Sequence, residues 1–183
     1  MYKLDLEEMY KYYRENISPG NYPISLGLSR YLLDLCWKTK PRLILDRGTG
    51  FSSFVFRKYA LESWRPVKII SVDSNERWVN KTVEFLRYCE LKTEGLFLWE
   101  DFLKYDLDKR KYDIILEDYT ISKRTKSLPI VLDMMASNGY LILDDANHEI
   151  YKSAIFKAVK RFNLNIKHIL AGQAAVIRKK GVI

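Results

Sequence analysis

The run Leu43-Ile44-Leu45-Asp46-Arg47-Gly48-Thr49-Gly50-Phe51-Ser52-Ser53 decides how this chain folds. Leu43 to Asp46, bounded by Pro41 and Gly48, has the length and apolar character of a strand buried on both faces, as in a parallel sheet. Glycines at 48 and 50 allow a tight turn and a close approach of backbone to a ligand. Ser52 or Ser53 can cap the helix predicted from Ser53 to Glu62. Strand, glycine turn and helix form the repeating unit of a doubly wound α/β sheet.

Working outward, the same pattern recurs. Lys68–Asp73, Leu96–Asp101, Tyr112–Asp118 and Tyr140–Asp145 are short apolar runs that each end in an acid. Between them the spacing predicts helices over Ser74–Glu90, with Val79, Val83 and Leu86 on one stripe, over Leu128–Ala136 and over Glu149–Phe162. After Asn163, Lys167–Ala171, Gly172-Gln173 and Ala174–Arg178 read as an antiparallel hairpin closing the sheet. The first forty residues hold Tyr2, Tyr10, Tyr12, Tyr13, Tyr22 and Tyr31 and a helical run from Leu26 to Trp37. They read as helices covering the sheet, with a tyrosine cap over a pocket as the competing use. The expected organisation is one domain over 1–183, with covering helices in 1–40 and the α/β core in 41–183.

Composition agrees with this reading. The chain has 183 residues, is 48% hydrophobic and carries a formal net charge of +8. That is enough to bury a core but too little for a two-domain dehydrogenase or an eight-stranded barrel. No apolar run approaches the ~18 residues that span a bilayer. The N-terminus has no apolar secretory core, so a cytoplasmic protein with no membrane partner is expected. Cys36 and Cys89 sit in apolar stretches and read as buried hydrophobes, and the two cysteines and two histidines show no zinc-ligand spacing.

In an open parallel sheet, ligands bind beyond the carboxyl ends of the strands, so all five acidic strand ends converge on one rim. Ser52 stands where a dinucleotide fingerprint has its third glycine, which weakens the case for a pyrophosphate there. Asp73 can accept both hydroxyls of a ribose; its competing use is to cap the next helix, a role for which Ser74 is better suited. Asp101 can take the exocyclic amine of an adenine, with Phe102 against the ring face. His148 lies on the same rim, where a neutral imidazole can take a proton from a substrate hydroxyl; a surface histidine at a helix start is the other account.

Together these residues resemble the class I S-adenosylmethionine-dependent methyltransferases, over about Leu26 to Arg178. The motifs are Leu45–Ser52, Ser71-Val72-Asp73, Glu100-Asp101-Phe102, Tyr112–Asp118 and the terminal hairpin. The resemblance implies a Rossmann-like, doubly wound sheet of seven mostly parallel strands in the order 3-2-1-4-5-7-6, with an antiparallel terminal strand and helices on both faces. It implies a cofactor site of Asp46, Gly48, Thr49, Gly50 and Ser52 for the methionine part, Asp73 and Ser74 for the ribose, Asp101 and Phe102 for the adenine, and Asp118. Serine at 52 is similar to the branch that methylates oxygens of small molecules, so the implied acceptor is a small-molecule hydroxyl or carboxyl. That branch also implies a divalent cation such as Mg²⁺ on Asp118, Asp144 and Asp145. Here Asp145 replaces the usual Asn, and Tyr119 and Thr120 stand where a Lys is usual. The catalytic candidates are Asp118, Asp145 and His148.

Absences narrow the chemistry. Glu117-Asp118-Tyr119-Thr120 is not the Pro-Pro-Tyr motif of adenine amino-group methylation, and no cysteine ends a strand, which disfavours carbon-5 methylation of cytosine. The phosphate-loop and hydrolase-elbow patterns are missing. Basic clusters in Lys104–Lys111, in Lys123-Arg124-Thr125-Lys126, on the last helix and at Arg178-Lys179-Lys180 can neutralise RNA phosphates. A catalytically silent or RNA-directed module is therefore the alternative, and a nicotinamide-binding domain is weaker for want of a substrate domain. The acceptor's identity and the oligomeric state depend on shape rather than motif.

Overall fold

The computed structural model describes residues 4–20, 23–105 and 107–179; Tyr2, Tyr22 and Lys180 lie outside the described residues. The strands are β1 (Leu43–Arg47), β2 (Lys68–Asp73), β3 (Leu96–Leu98), β4 (Tyr112–Glu117), β5 (Met135–Leu143), β6 (Asn165–Ile169) and β7 (Ala174–Arg178). They form one sheet in the order β3-β2-β1-β4-β5-β7-β6, with β7 antiparallel to both β5 and β6. Strand order reverses between β1 and β4, which is where an open sheet leaves a crevice.

Alternation along each strand divides the apolar side chains between two layers. Ile44, Ile114 and Ile142 face one cluster with Leu28, Leu32, Phe54 and Phe85. Leu45, Ile115 and Leu141 face the other, with Leu128, Val131, Tyr151 and Ile155. The first layer is built by α1 (Leu6–Tyr12), α2 (Leu26–Thr39), α3 (Phe51–Glu62) and α4 (Glu76–Tyr88), the second by α5 (Trp99–Lys104), α6 (Ile121–Met134) and α7 (Glu149–Phe162). Helices thus cover both faces. Cys36 and Cys89 are free and buried, and burial raises both thiols' pKa. Among the described residues no helix is long and apolar enough to cross a membrane.

Several boundaries differ from the sequence reading. β3 stops at Leu98 rather than Asp101, because Trp99 and Phe102 are one helical turn apart and stack at 5.4 Å beneath the sheet, which starts α5 early. The helix expected over Leu128–Ala136 begins seven residues earlier, at Ile121, and ends at Met134, so Met135 and Ala136 belong to β5. Pro129 is interior to that helix rather than at its start, and Arg124 in the polar first turn before it pairs with Asp118 at the end of β4. α4 starts at Glu76, capped by the Asn75 side chain, which accepts from the Arg77 N–H at 3.0 Å. The hairpin turn is a 3₁₀ turn over Leu170–Gly172, and β6 begins at Asn165.

The turn after β1 is held against the end of β4. Gly48 has φ of +114°, and a Cβ built there would lie 2.3 Å from the Asp118 carbonyl oxygen. Both the left-handed conformation and the contact with rigid backbone exclude a side chain. Gly48→Ala is expected to lower the unfolding free energy in urea by at least ~2 kcal/mol.

Candidate active site

A cleft of about 560 Å³ opens beyond the ends of β1, β2, β4 and β5. Gly48 to Ser52, Asp73 to Asn75, Asp118 to Thr120, and Asp144, Asp145 and Asn147 line it; Tyr13, Ser18 and Pro23 to Ser25 come from the N-terminal segment. Trp78, Arg124 and Gln173 complete the wall. Tyr13 is 1% exposed, so one of the N-terminal tyrosines combines the two uses read from the sequence: it is core and cleft wall at once.

Asp46 lies beneath the glycine turn rather than in the cleft. It is fully buried, and its two oxygens accept from Ser52 Oγ at 2.8 Å and Ser53 Oγ at 2.5 Å. Burial raises its pKa, opposed by the serine hydroxyls and by Arg57. The serine at position 52 thus has a use that glycine lacks: its hydroxyl ties the first turn of α3 to the strand before it. Arg57 is locked in turn, donating to Ser71 Oγ at 2.9 Å and to the carbonyls of Lys92 and Glu94 at 2.9 and 3.0 Å.

Asp73 faces the cleft and joins its two sides. Oδ2 accepts from the Thr49 N–H at 3.0 Å and Oδ1 from the Asn75 N–H at 2.9 Å. Since Asn75 caps α4, Asp73 is not occupied as that helix's cap. Ser74 accepts a hydrogen bond of 2.7 Å from Lys123 Nζ, which also stands 5.5 Å over the Tyr119 ring.

Asp101 and Phe102 are not brought to the cleft. Phe102 is fully buried in the lower layer, and both residues lie on α5, because the chain turns away at Leu98. The aromatic side chains that line the cleft on this side are Trp78 and Tyr119. Tyr119 rests on a charged floor that the sequence reading missed. Arg47 Nη1 and Glu117 Oε2 pair at 2.6 Å with 2% and 0% side-chain exposure, and the guanidinium lies 5.1 Å from Trp99 and 5.2 Å from Tyr119. Their register as neighbours on β1 and β4 puts the two side chains together.

His148 also stands outside the cleft. It is the exposed residue before α7, while Asn147 next to it lines the wall. The titratable groups at this end are Asp118, Asp144 and Asp145, with oxygens within 4.8 Å of one another. Burial and the neighbouring carboxylates of Asp144 and Asp145 push the Asp118 pKa well above the usual range, against the pull of Arg124. Burial, and then Asp145, push Asp144 up to about 6.

Arg124 sits among these acids. Nη2 donates to Asp118 Oδ1 at 2.7 Å, and Nη1 to the Asp144 carbonyl at 2.6 Å, with Asp145 Oδ2 at 3.2 Å from it; Nε donates to the Tyr119 carbonyl. Its side chain is 5% exposed, so it does not belong to the basic surface with Lys123 and Lys126. The donor set does not fit a divalent cation as it stands, because Asp118 Oδ1 and Asp145 Oδ2, two of the three carboxylates that would ligate one, already face a guanidinium. A sequence signal existed: Arg124 follows the helix-starting Thr120 by one turn, close behind an acidic strand end.

The fold and cleft allow comparison with known proteins. No family model matches the sequence, and no curated protein does. Among solved structures, the SAH-bound methyltransferase of Podospora anserina superposes with a TM-score of 0.77 at 12% identity, over 96% of this chain and 87% of that one. The Bacillus cereus O-methyltransferase in complex with SAH gives 0.72 at 13%, over 95% and 90%. The Streptomyces achromogenes O-methyltransferase of tomaymycin synthesis, in complex with SAM, gives 0.73 at 12%, over 96% and 89%. The fold is that of the class I S-adenosylmethionine-dependent O-methyltransferases.

The raised pKa of Asp144 has a defined consequence. Between its ordinary value and about 6 the folded state binds a proton that the unfolded chain releases, so this group's contribution to stability falls as pH rises through that window. Urea unfolding is expected to show wild type losing of order 2 kcal/mol relative to Asp144→Asn between pH 4 and 7.

Proposed function

We propose that this chain is an S-adenosylmethionine-dependent methyltransferase that acts on a hydroxyl or carboxyl of a small molecule held in the cleft. The observation that carries the reading is the cleft itself. It lies at the switch point, with Gly48 to Gly50 and Asp73 on one side and Asp118 on the other, where the family resemblance puts the cofactor. Its volume falls in the ~300–1,000 Å³ range of small-molecule sites.

The lining suits a cationic ligand. It carries four carboxylates, Asp73, Asp118, Asp144 and Asp145, against the single guanidinium of Arg124. A sulfonium and an ammonium group would meet favourable potential there. Ser18 Oγ, buried in the wall with no hydrogen-bond partner, is free to serve a polar ligand. Asp73 would hold the ribose, the Gly48 to Gly50 backbone the methionine part, and Trp78 and Tyr119, in place of Asp101 and Phe102, the adenine. Bound cofactor would supply a methyl group already activated on sulfur.

The chain's own work is then to orient the acceptor and take its proton. Asp118 and Asp145 carry that role in this reading, and His148, outside the cleft, does not. The raised pKa of Asp118 makes it a better proton acceptor than an ordinary carboxylate. The neighbours' SAM and SAH, and the O-methyltransferase names of two of them, support the cofactor and the acceptor class.

Calorimetric titration with S-adenosylmethionine, S-adenosylhomocysteine and NAD tests this. Binding of the first two and not of NAD is expected; Asp73→Ala should weaken it by about 10-fold or more, and Asp101→Ala should leave it within about 2-fold. Absence of cofactor binding together with salt-dependent RNA binding would replace this reading with that of a silent module using the exposed lysines of α7.

A further inference from the structure

We infer that Arg124 is a resident counter-cation that stands in the place of a divalent ion, so that the β4–β5 end of the cleft works without metal. The inference concerns the same cleft as the proposed methyl transfer, but its readout is ion binding and does not depend on that reading.

The geometry is that of an occupied cation site. Asp118, Asp144 and Asp145 bring carboxylate oxygens within 4.8 Å of one another, close enough for one ion to bridge. A hard divalent cation seeks such oxygens. Arg124 engages two of these three carboxylates, Asp118 and Asp145, through charge-assisted contacts, and hydrogen-bonds to the main-chain carbonyls of Asp144 and Tyr119. These are directional contacts to fixed main-chain and side-chain oxygens, and a planar guanidinium suits them better than an ammonium would.

The placement of Arg124 is itself informative. It lies in the first turn of α6, where the helix dipole disfavours a cation. The acids gathered at the strand ends and the carbonyls of Tyr119 and Asp144 offset that cost, so Arg124 and the acids stabilise one another. Its anchors come from the ends of both β4 and β5, so the side chain also joins the two strands at the rim. Of the five N–H groups of the guanidinium, three donate the hydrogen bonds to Tyr119, Asp144 and Asp118, Nη1 also stands in ion-pair contact with Asp145, and Arg124 lines the cleft. Arg124 thus supplies at this end of the cleft the positive charge that an ion would otherwise bring.

Mn²⁺ is the probe, followed by electron paramagnetic resonance and by calorimetry on the full chain. Wild type is expected to bind no Mn²⁺ up to about 1 mM, and its affinity for S-adenosylhomocysteine to be the same with EDTA as with Mn²⁺. Arg124→Met, which keeps the length and removes the charge, should uncover Mn²⁺ binding at least about 10-fold tighter than wild type, and adding Asp145→Asn should abolish it. Sub-millimolar Mn²⁺ binding by wild type that Asp118→Asn or Asp145→Asn removes would overturn the inference, as would a folded Arg124→Met that binds no Mn²⁺. Should Arg124→Met fail to fold, wild type against its own Asp145→Asn variant decides the question alone. Absence of cofactor binding in the calorimetric series would count against the methyltransferase reading without touching the Mn²⁺ result.

Discussion

The cleft depends on one close approach, that of Gly48 to the backbone of Asp118. With no Cβ at position 48, the turn after β1 lies directly against the carbonyl at the end of β4. The Gly48 N–H also donates to Val72 O at 2.9 Å, so the same residue continues the ladder to β2. Three strand ends are thereby fixed relative to one another, and the side chains that follow them, Thr49, Asp73 and Asp118, face a common space. The Asp46 carboxylate secures the turn from below through Ser52 and Ser53. Moving any of these groups would displace the others, because buried side chains as well as main chain tie the turn to the strands on either side of it.

Two arginines then set the electrostatics of the rim. Arg47 is sealed under the cleft with Glu117, and the pair supports the Tyr119 and Trp99 rings. Arg124 is drawn into the acid cluster above it. Buried charges are costly unless paired and hydrogen-bonded, and removing one partner of such a pair typically costs ~3–5 kcal/mol. Ser127 reinforces the lower pair, 3.2 Å from Arg47 Nη1 and donating to Glu117 Oε1 at 3.3 Å. The cleft keeps an excess of carboxylates even so, and that balance rather than any single residue makes it hospitable to a cationic ligand. Burial and mutual repulsion hold the protons of Asp118 and Asp144 more tightly than an ordinary carboxylic acid holds its own, with Asp144 raised to about 6.

The α/β pattern, the seven strands, the glycine turn and the acids at the ends of β2, β4 and β5 were legible in the chain. Strand signals are local: apolar runs of the right length punctuated by Gly, Pro and acids stay readable without neighbours. Gly48 and Asp73 could be singled out for the same reason, since the turn chemistry and the strand end that place them lie within a few residues. Asp101, Phe102 and His148 were legible as residue types but not as positions. A helical turn begun at Trp99 takes the first two away from the rim, and His148 falls on the solvent side of the step into α7.

What the sequence by itself determined is the order of elements and the rim on which they end, because periodicity and turn chemistry act over short distances. Only the tertiary structure decided which side chains meet. Arg47 reads as a turn residue and Arg124 as one cation in a basic surface cluster, yet both are buried. Each pairs with a carboxylate that follows another strand or lies on one, and contacts of that kind arise from strand register and helix placement, which no local pattern encodes. The family resemblance implied a metal on three acids for the same reason: the guanidinium that pairs with two of them comes from the first turn of a helix whose start lies seven residues before the one the sequence predicted.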